Sequence, residues 1–101
     1  MNLQLDKNSL YTFKFITGEE IVAKVLSDDG DTIQVTQPIQ TVVSQQGLQM
    51  VPSLFSSDQD KEVTINKTSI CMIAAPRDDV STSYLEATTG IDLSKQILTE
   101  S

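Results

Sequence analysis

Three carboxylates crowd one short stretch of this chain. Asp28, Asp29 and Asp31 surround Gly30 in the segment SDDGD, and carboxylate oxygens are ligands that hard cations such as calcium prefer. The segment lacks the bidentate glutamate and the full spacing of a calcium-binding loop. Asp and Gly also favour tight turns for backbone reasons alone. The sequence therefore favours a solvated hairpin turn over a metal site, and we assign no metal and no cofactor to the chain.

The residues that catalysis usually needs are scarce. The chain contains no histidine, so it has neither a near-neutral general base nor a Ser-His-Asp triad. Its four glycines are not clustered into a phosphate-binding loop. The single cysteine, Cys71, lies in the apolar run ICMIAA without a basic neighbour, which predicts a buried small hydrophobe and not a nucleophile. We therefore predict no catalytic residues and a protein that is not an enzyme.

The charge balance is strongly acidic. Lys and Arg total 7 against 14 Asp and Glu, which gives a net charge of −7 in 101 residues. Such a charge repels nucleic-acid phosphates at long range, and it also keeps a small protein soluble. No apolar run approaches the roughly 20 residues of a membrane-spanning helix, and no signal peptide is recognisable. These features predict one soluble, cytoplasmic domain with no membrane partner, for which RNA is disfavoured by charge.

Period-two alternation and turn residues divide most of the chain into strands. Gly18 and Gly30 supply the flexible backbone for two hairpin turns, so the first three strands form a meander. The second strand carries apolar residues on both faces, which indicates a bent strand, and Pro38 marks a bend or a strand end. The predicted strands are 11–15, 20–26, 32–37, 39–43, 48–55, 62–65 and 69–75.

A change of period after Pro76 predicts a helix of about ten residues near the C-terminus. An aspartate can cap its start and Gly90 is a good stop, which places the helix at about 78–89. The tail, 92–101, is predicted as a frayed end or a weak second helical turn. The apolar positions of the helix are Val80, Tyr84 and Ala87. We expect Tyr84 to dock the helix on the sheet, although it could instead anchor a partner.

The β-prone run from Ile39 to Phe55 is unusually apolar for the edge of a small barrel. Exposed apolar edges invite strand pairing with another chain, so this run predicts self-association. Its apolar residues include Val42, Val43, Leu48, Met50, Val51, Leu54 and Phe55.

The order of these features resembles the Sm-like (Lsm) family. The first motif of that family runs strand, glycine turn, bent strand, acidic turn, strand, and it corresponds here to FKFITGEEIVAKVLSDDGDTIQV. The second motif, a short strand, a tight turn and a final strand, corresponds to EVTINKTSICMIAAP. The resemblance spans about Leu10 to Pro76, and with the ending YLEATTGI the chain looks most like small Sm-like proteins of marine bacteriophages, especially cyanophages.

This resemblance implies a single Sm-like domain over 1–101, with a strongly bent, five-stranded open barrel at about 10–76 followed by the helix. It also implies closed rings of about five to eight subunits, in which strands pair head to tail. The donor would be the Leu48–Ile65 region and the acceptor Ser69–Ala75. The family usually places a helix before the first strand, whereas here the helix comes last.

The resemblance also locates an RNA site, and the chain departs from the family there. RNA-binding members carry an Asn in the first loop and an Arg-Gly pair in the second. The matching residues here are Thr32, Asn66 and Lys67, with Gly30 near the stacking position. No aromatic group is available for base stacking, which contributes on the order of 1–3 kcal/mol per base. Asp28, Asp29 and Asp31 would face the central pore and oppose RNA entry.

Three functional hypotheses follow from the sequence. The first is a non-catalytic ring that acts as an assembly or adaptor module for a phage or host protein in the cytoplasm of an infected bacterial cell. The alternative is an RNA-binding ring with an altered, non-uridine-type pocket. The third is a cation-binding pore formed by the acidic turns.

Overall fold

The computed structural model describes residues 4–54, 56, 58 and 61–89. Its six strands are all antiparallel, and one helix follows them, so the mostly β class with a C-terminal helix is confirmed. Phe55, the stop at Gly90 and the tail 92–101 lie outside the described residues. The elements are β1 (Leu10–Phe15), β2 (Glu20–Asp28), β3 (Thr32–Ser44), β4 (Gly47–Pro52), β5 (Glu62–Asn66), a 3-10 turn (Lys67–Ser69), β6 (Ile70–Ala74) and α1 (Asp78–Thr89).

The strands form a single sheet in the order β4-β3-β2-β1-β6, and β5 pairs with the first half of β3. Within the described part of the chain the sheet does not close on itself. The predicted meander is confirmed, because β1, β2 and β3 pair consecutively. Gly18 and Gly30 both adopt positive φ, +108° and +102°, at the two turns that join them. Each turn thus uses a conformation that side chains other than Gly rarely adopt.

β3 is longer than the sequence predicted. The expected strands 32–37 and 39–43 are one strand of 13 residues, so Pro38 marks a bend and not an end. At the bend Gln37 has a φ of +51°, and the strand changes partner from β5 to β4. The prediction of a strand over 48–55 was also too long, because β4 ends at Pro52.

The apolar core is formed by buried residues of β1, β2, β3 and β5 and by Leu5 of the N-terminal segment. The pairing of β2 with β3 has two irregularities, and each of them changes which side chains of β2 face the core. This explains why residues on both faces of β2 are buried. Tyr11 and Phe15 are partly buried and pack against the core beside Phe13, so the aromatic residues of β1 contribute to one face. The buried core residues are Leu5, Phe13, Ala23, Val25, Ile33, Val35 and Ile65.

Cys71 is exposed, and its predicted burial was wrong. Lys14 pairs with Met72 while Phe15 pairs with Ile70, so Cys71 is an extra residue in β6 opposite β1. A bulge of this kind resets the alternation of the strand. Ile70 and Ile73 therefore both pack against the core, although they are three residues apart.

Helix α1 is fastened to the sheet by Tyr84, whose side chain is almost completely buried. Its hydroxyl donates hydrogen bonds to the carbonyls of Thr36 (3.1 Å) and Gln37 (3.0 Å), at the bend of β3. The docking role predicted for Tyr84 is thus confirmed. Ala87, by contrast, is exposed, and Thr88 is half-buried and bonds back to the Tyr84 carbonyl at 2.9 Å. The helix therefore rests on a narrower apolar stripe than its sequence predicted.

Among the helices in the described ranges, none has the length and apolar character required to cross a membrane.

Candidate functional site

Two turns meet at one end of the sheet, and they carry all six residues that the sequence singled out. Thr32, at the start of β3, is the pairing partner of Asn66, at the end of β5. The backbone N–H of Lys67 donates to the carbonyl of Asp31 at 3.0 Å. β3–β5 pairing therefore brings the acidic turn against the 3-10 turn.

Asp28 is the centre of this junction. Its side chain is only 2% exposed, and its two oxygens lie 2.7 and 2.9 Å from the Lys67 Nζ. Oδ2 also accepts the N–H of Leu5 at 2.9 Å, and Oδ1 accepts the N–H of Gly30 at 2.9 Å. One carboxylate thus ties the N-terminal segment, the β2–β3 turn and the β5–β6 turn together. A buried carboxylate with several donors of this kind is held in one geometry.

The environment of Asp28 acts on its pKa in two opposing directions. Burial of the carboxyl raises the pKa, because desolvation disfavours the charged form. The hydrogen bond from Lys67, the N–H groups of Leu5 and Gly30, and the lysine charge lower it, and together they prevail. The pKa of Asp28 therefore lies below its usual value, and the group is ionised at neutral pH.

Asp29 organises the acidic turn itself. Its Oδ1 accepts the N–H of Thr32 at 2.8 Å and that of Asp31 at 3.0 Å, and its Oδ2 accepts the Thr32 hydroxyl at 3.0 Å. The Thr32 backbone bond is the main cause that lowers the pKa of Asp29. These bonds are those of a capped turn, which agrees with the structural interpretation of this segment.

The polar groups proposed for RNA contact are thus held mostly by the protein itself. The Lys67 ammonium neutralises the charge of Asp28, and the Thr32 hydroxyl donates a hydrogen bond to Asp29. Asn66 is exposed and its side chain does not cap the 3-10 turn. Asp29 and Asp31 remain exposed, so the outer surface of the junction is acidic. In the described ranges, no group of three or more His, Cys, Asp or Glu side chains is arranged to hold a metal ion.

The ion pair between Asp28 and Lys67 was missed by reasoning from the sequence. The two residues are 39 positions apart, and no periodicity links them. The signals were indirect: the family resemblance placed the two turns together, and pairing of 32–37 with 62–65 would do the same.

The uncovered strand edges of the sheet are the other notable surface. β6 pairs only with β1, and β4 and β5 pair only with different halves of β3, so none of the described strands covers the other side of these three strands. Met72 on β6 is 66% exposed, and Val43 at the end of β3 is 81% exposed. The apolar edge predicted for the run 39–55 is confirmed at Val42, Val43, Leu48 and Leu54, which are all exposed, whereas Met50 and Val51 are half-buried.

A scan against protein-family models finds no match, and neither does a search of the curated proteins.

Proposed function

We propose that this protein is a non-catalytic Sm-like subunit of phage origin, which assembles into a closed ring and serves as an assembly or adaptor module. The observation that supports the proposal is the pair of uncovered strand edges, on β5 and on β6. The bent sheet, the glycine turns and the 3-10 turn before the last strand are the features of the Sm-like barrel that the sequence resembles.

The two edges suit head-to-tail association. β5 and β6 have five residues each, and they belong to different ends of the sheet, so β5 of one copy can add to β6 of the next. An interface between two different surfaces repeats from copy to copy, and it closes into a ring when the rotation allows. Rings of about five to eight subunits are expected from the family resemblance.

The junction of the two turns supports a protein partner over RNA. In the proposed ring these turns line the pore, and each copy contributes the exposed Asp29 and Asp31, while Lys67 is already neutralised by Asp28. Repetition of this arrangement concentrates negative charge, which repels phosphates. A phage or host protein with a basic surface is the partner that this chemistry favours.

Native mass spectrometry of the full chain tests the ring. One narrow oligomer at micromolar concentration is the expected result, and a monomer would contradict the proposal. The single cysteine allows a sharper test, because Cys71 lies on β6. In a Thr64→Cys variant, which adds a thiol to β5, a short bismaleimide should produce a ladder that stops at the ring number. The matched control combines Thr64→Cys with Cys71→Ser, and it should give no ladder because head-to-tail contacts do not bring two β5 strands together.

The alternative is an RNA-binding ring with an altered pocket. It is favoured by the pairing of Thr32 with Asn66, which places both beside Lys67. Titration with oligouridine and oligoadenine tests it. Binding is measured at low salt and again at higher salt, because the comparison shows how electrostatics contribute to it. Binding that a Lys67→Met variant loses would support the pocket. Failure of both oligonucleotides would remove it.

A further inference from the structure

The β3–β4 hairpin from Ile39 to Pro52, here called the arm, has an unusual composition. The chain as a whole is 21% charged, yet it contains no Asp, Glu, Lys or Arg between Thr32 and Ser57. β4 is the last strand in the sheet order, so its outer edge is uncovered by any described strand. Natural edge strands are usually protected by charged side chains, especially Lys, and this one is not.

The hydrogen-bond pattern of the arm shows which groups face outward. The N–H of Ser53 donates to the carbonyl of Pro38 at 3.1 Å, so this pair is bonded across β3 and β4. Bonded and non-bonded pairs alternate in an antiparallel ladder. With Val42 opposite Gln49, the register makes Gln49 a bonded partner of β3. Leu48 and Met50 therefore direct their N–H and C=O groups to the open edge.

These two outward residues are self-complementary. If two β4 strands meet antiparallel about an axis through Gln49, Leu48 of each copy lies opposite Met50 of the other. Both members of each pair point their amides at the partner, so the two pairs can form four backbone hydrogen bonds. We propose that the arm is a second interface, at which β4 pairs with β4 of another copy.

The charge of the protein favours a second copy as the occupant of this edge. Two molecules of net charge −7 repel each other wherever their charged surfaces approach. The arm is an uncharged strand edge on which two copies can meet with little repulsion. Pairing also shields the apolar side chains at the end of the arm, where Val43 is 81% and Leu48 is 41% exposed.

The pairing has a consequence for a neighbouring groove. Val43 and Leu48 of the arm line an open groove of about 440 Å³ together with Val22, Val80 and the charged residues Glu20 and Arg77. The β4 pair places Met50 of the second copy beside Leu48 on this same face. The groove is thus extended across the axis by an apolar side chain, and two copies share one longer surface.

The donor region predicted for the ring, Leu48–Ile65, contains both β4 and β5, but the proposed ring uses only β5. The β4 interface is therefore distinct from the β5 and β6 edges, and it does not depend on them. If both interfaces form, each ring pairs with a second ring, and the number of subunits doubles. If the ring fails and the arm pairs, the protein is a dimer.

Disulfide formation tests the arm in the full chain. Gln49 lies opposite its own copy at a non-bonded position, where Cα atoms are about 4.5 Å apart, within the range of a disulfide. A Gln49→Cys variant that also carries Cys71→Ser should therefore oxidise to a linked dimer and form no larger species. The control is Gln46→Cys with Cys71→Ser, on the same arm but about 20 Å from its own copy across the axis. It should stay unlinked.

A second variant measures the interface without a cross-link. Met50→Pro removes an outward N–H that β3 does not use, so the arm should keep its ladder. The mass in solution should fall twofold, with the circular dichroism unchanged. The proposal is overturned if Gln49→Cys stays unlinked, or if Gln46→Cys links equally well. The Thr64–Cys71 ladder reports on the ring alone, so the two failures can be told apart.

Discussion

Loss of the Asp28 carboxylate is expected to loosen three segments at once. Asp28→Asn keeps the shape of the side chain but removes the charge that pairs with Lys67, and its amide nitrogen cannot accept one of the bonds that the carboxylate accepts. Breaking a fully buried ion pair costs about 3–5 kcal/mol. Since the Lys67 side chain is still 23% exposed and can be hydrated, we expect a smaller loss of about 2–3 kcal/mol.

Urea unfolding at pH 7 measures this loss, and a thermal melt should show it as well. A loss of about 2 kcal/mol lowers the midpoint by about 8–16 °C in a domain of this size. The cycle of Asp28→Asn, Lys67→Met and the double variant isolates the pair, and we expect a coupling of about 1.5–3 kcal/mol.

The chain offers a matched control in Arg77 and Asp79. Their groups lie 2.8 Å apart, but both side chains are more than two-thirds exposed. The same cycle there should give no resolvable coupling, because water screens exposed pairs. Equal coupling in both cycles, or none at Asp28, would show that burial does not make the junction strong.

Three further predictions concern pH and backbone strain. Folding lowers the pKa values of Asp28 and Asp29, so the stability that these carboxylates contribute is complete above about pH 4 and is lost as the pH falls through the lowered values. Urea titrations from pH 6 to pH 2.5 should show this loss. The free energy of unfolding should depend less steeply on pH in Asp28→Asn. Burial raises the pKa of Tyr84 to about 12, so its stabilisation is complete below about pH 10 and is lost between about pH 10 and 12. In a Tyr11→Phe background the tyrosinate absorbance should have its midpoint near 12, and a midpoint near 10 would contradict the burial. Gly30→Ala should cost about 1–2 kcal/mol in urea unfolding, since φ is +102° and no atom lies near the added Cβ; an unchanged stability would be inconsistent with strain at this turn.

Local patterns predicted the strands and turns well. Period-two alternation found β1, apolar residues on both faces indicated the bent β2, and the positive φ of Gly18 and Gly30 agrees with their predicted place in turns. These features depend on neighbours in the sequence, so the sequence alone could reveal them.

The errors arose where distant residues decide the outcome. The bulge that exposes Cys71 depends on the register of β6 against β1, which local alternation does not record. The pairing of Asp28 with Lys67 requires the β3–β5 register, so the sequence did not reveal that the Asp28 charge is neutralised by a lysine 39 positions away. The site residues were predicted to lie together from a family resemblance, and the fold does place them together, but their hydrogen-bond partners could not be known in advance.

The order of the strands also has a consequence for how the chain folds. Phe13 pairs with Ile21 only eight residues away, whereas on its other side it pairs with Ile73, 60 residues away. Closing the longer loop costs about 2 kcal/mol more in chain entropy. The meander from β1 to β4 can therefore form early. β6, the second partner of β1, is synthesised later than the other strands. During synthesis the outer edge of β1 is unpaired for that interval, and unpaired strand edges expose a nascent chain to aggregation or chaperone binding.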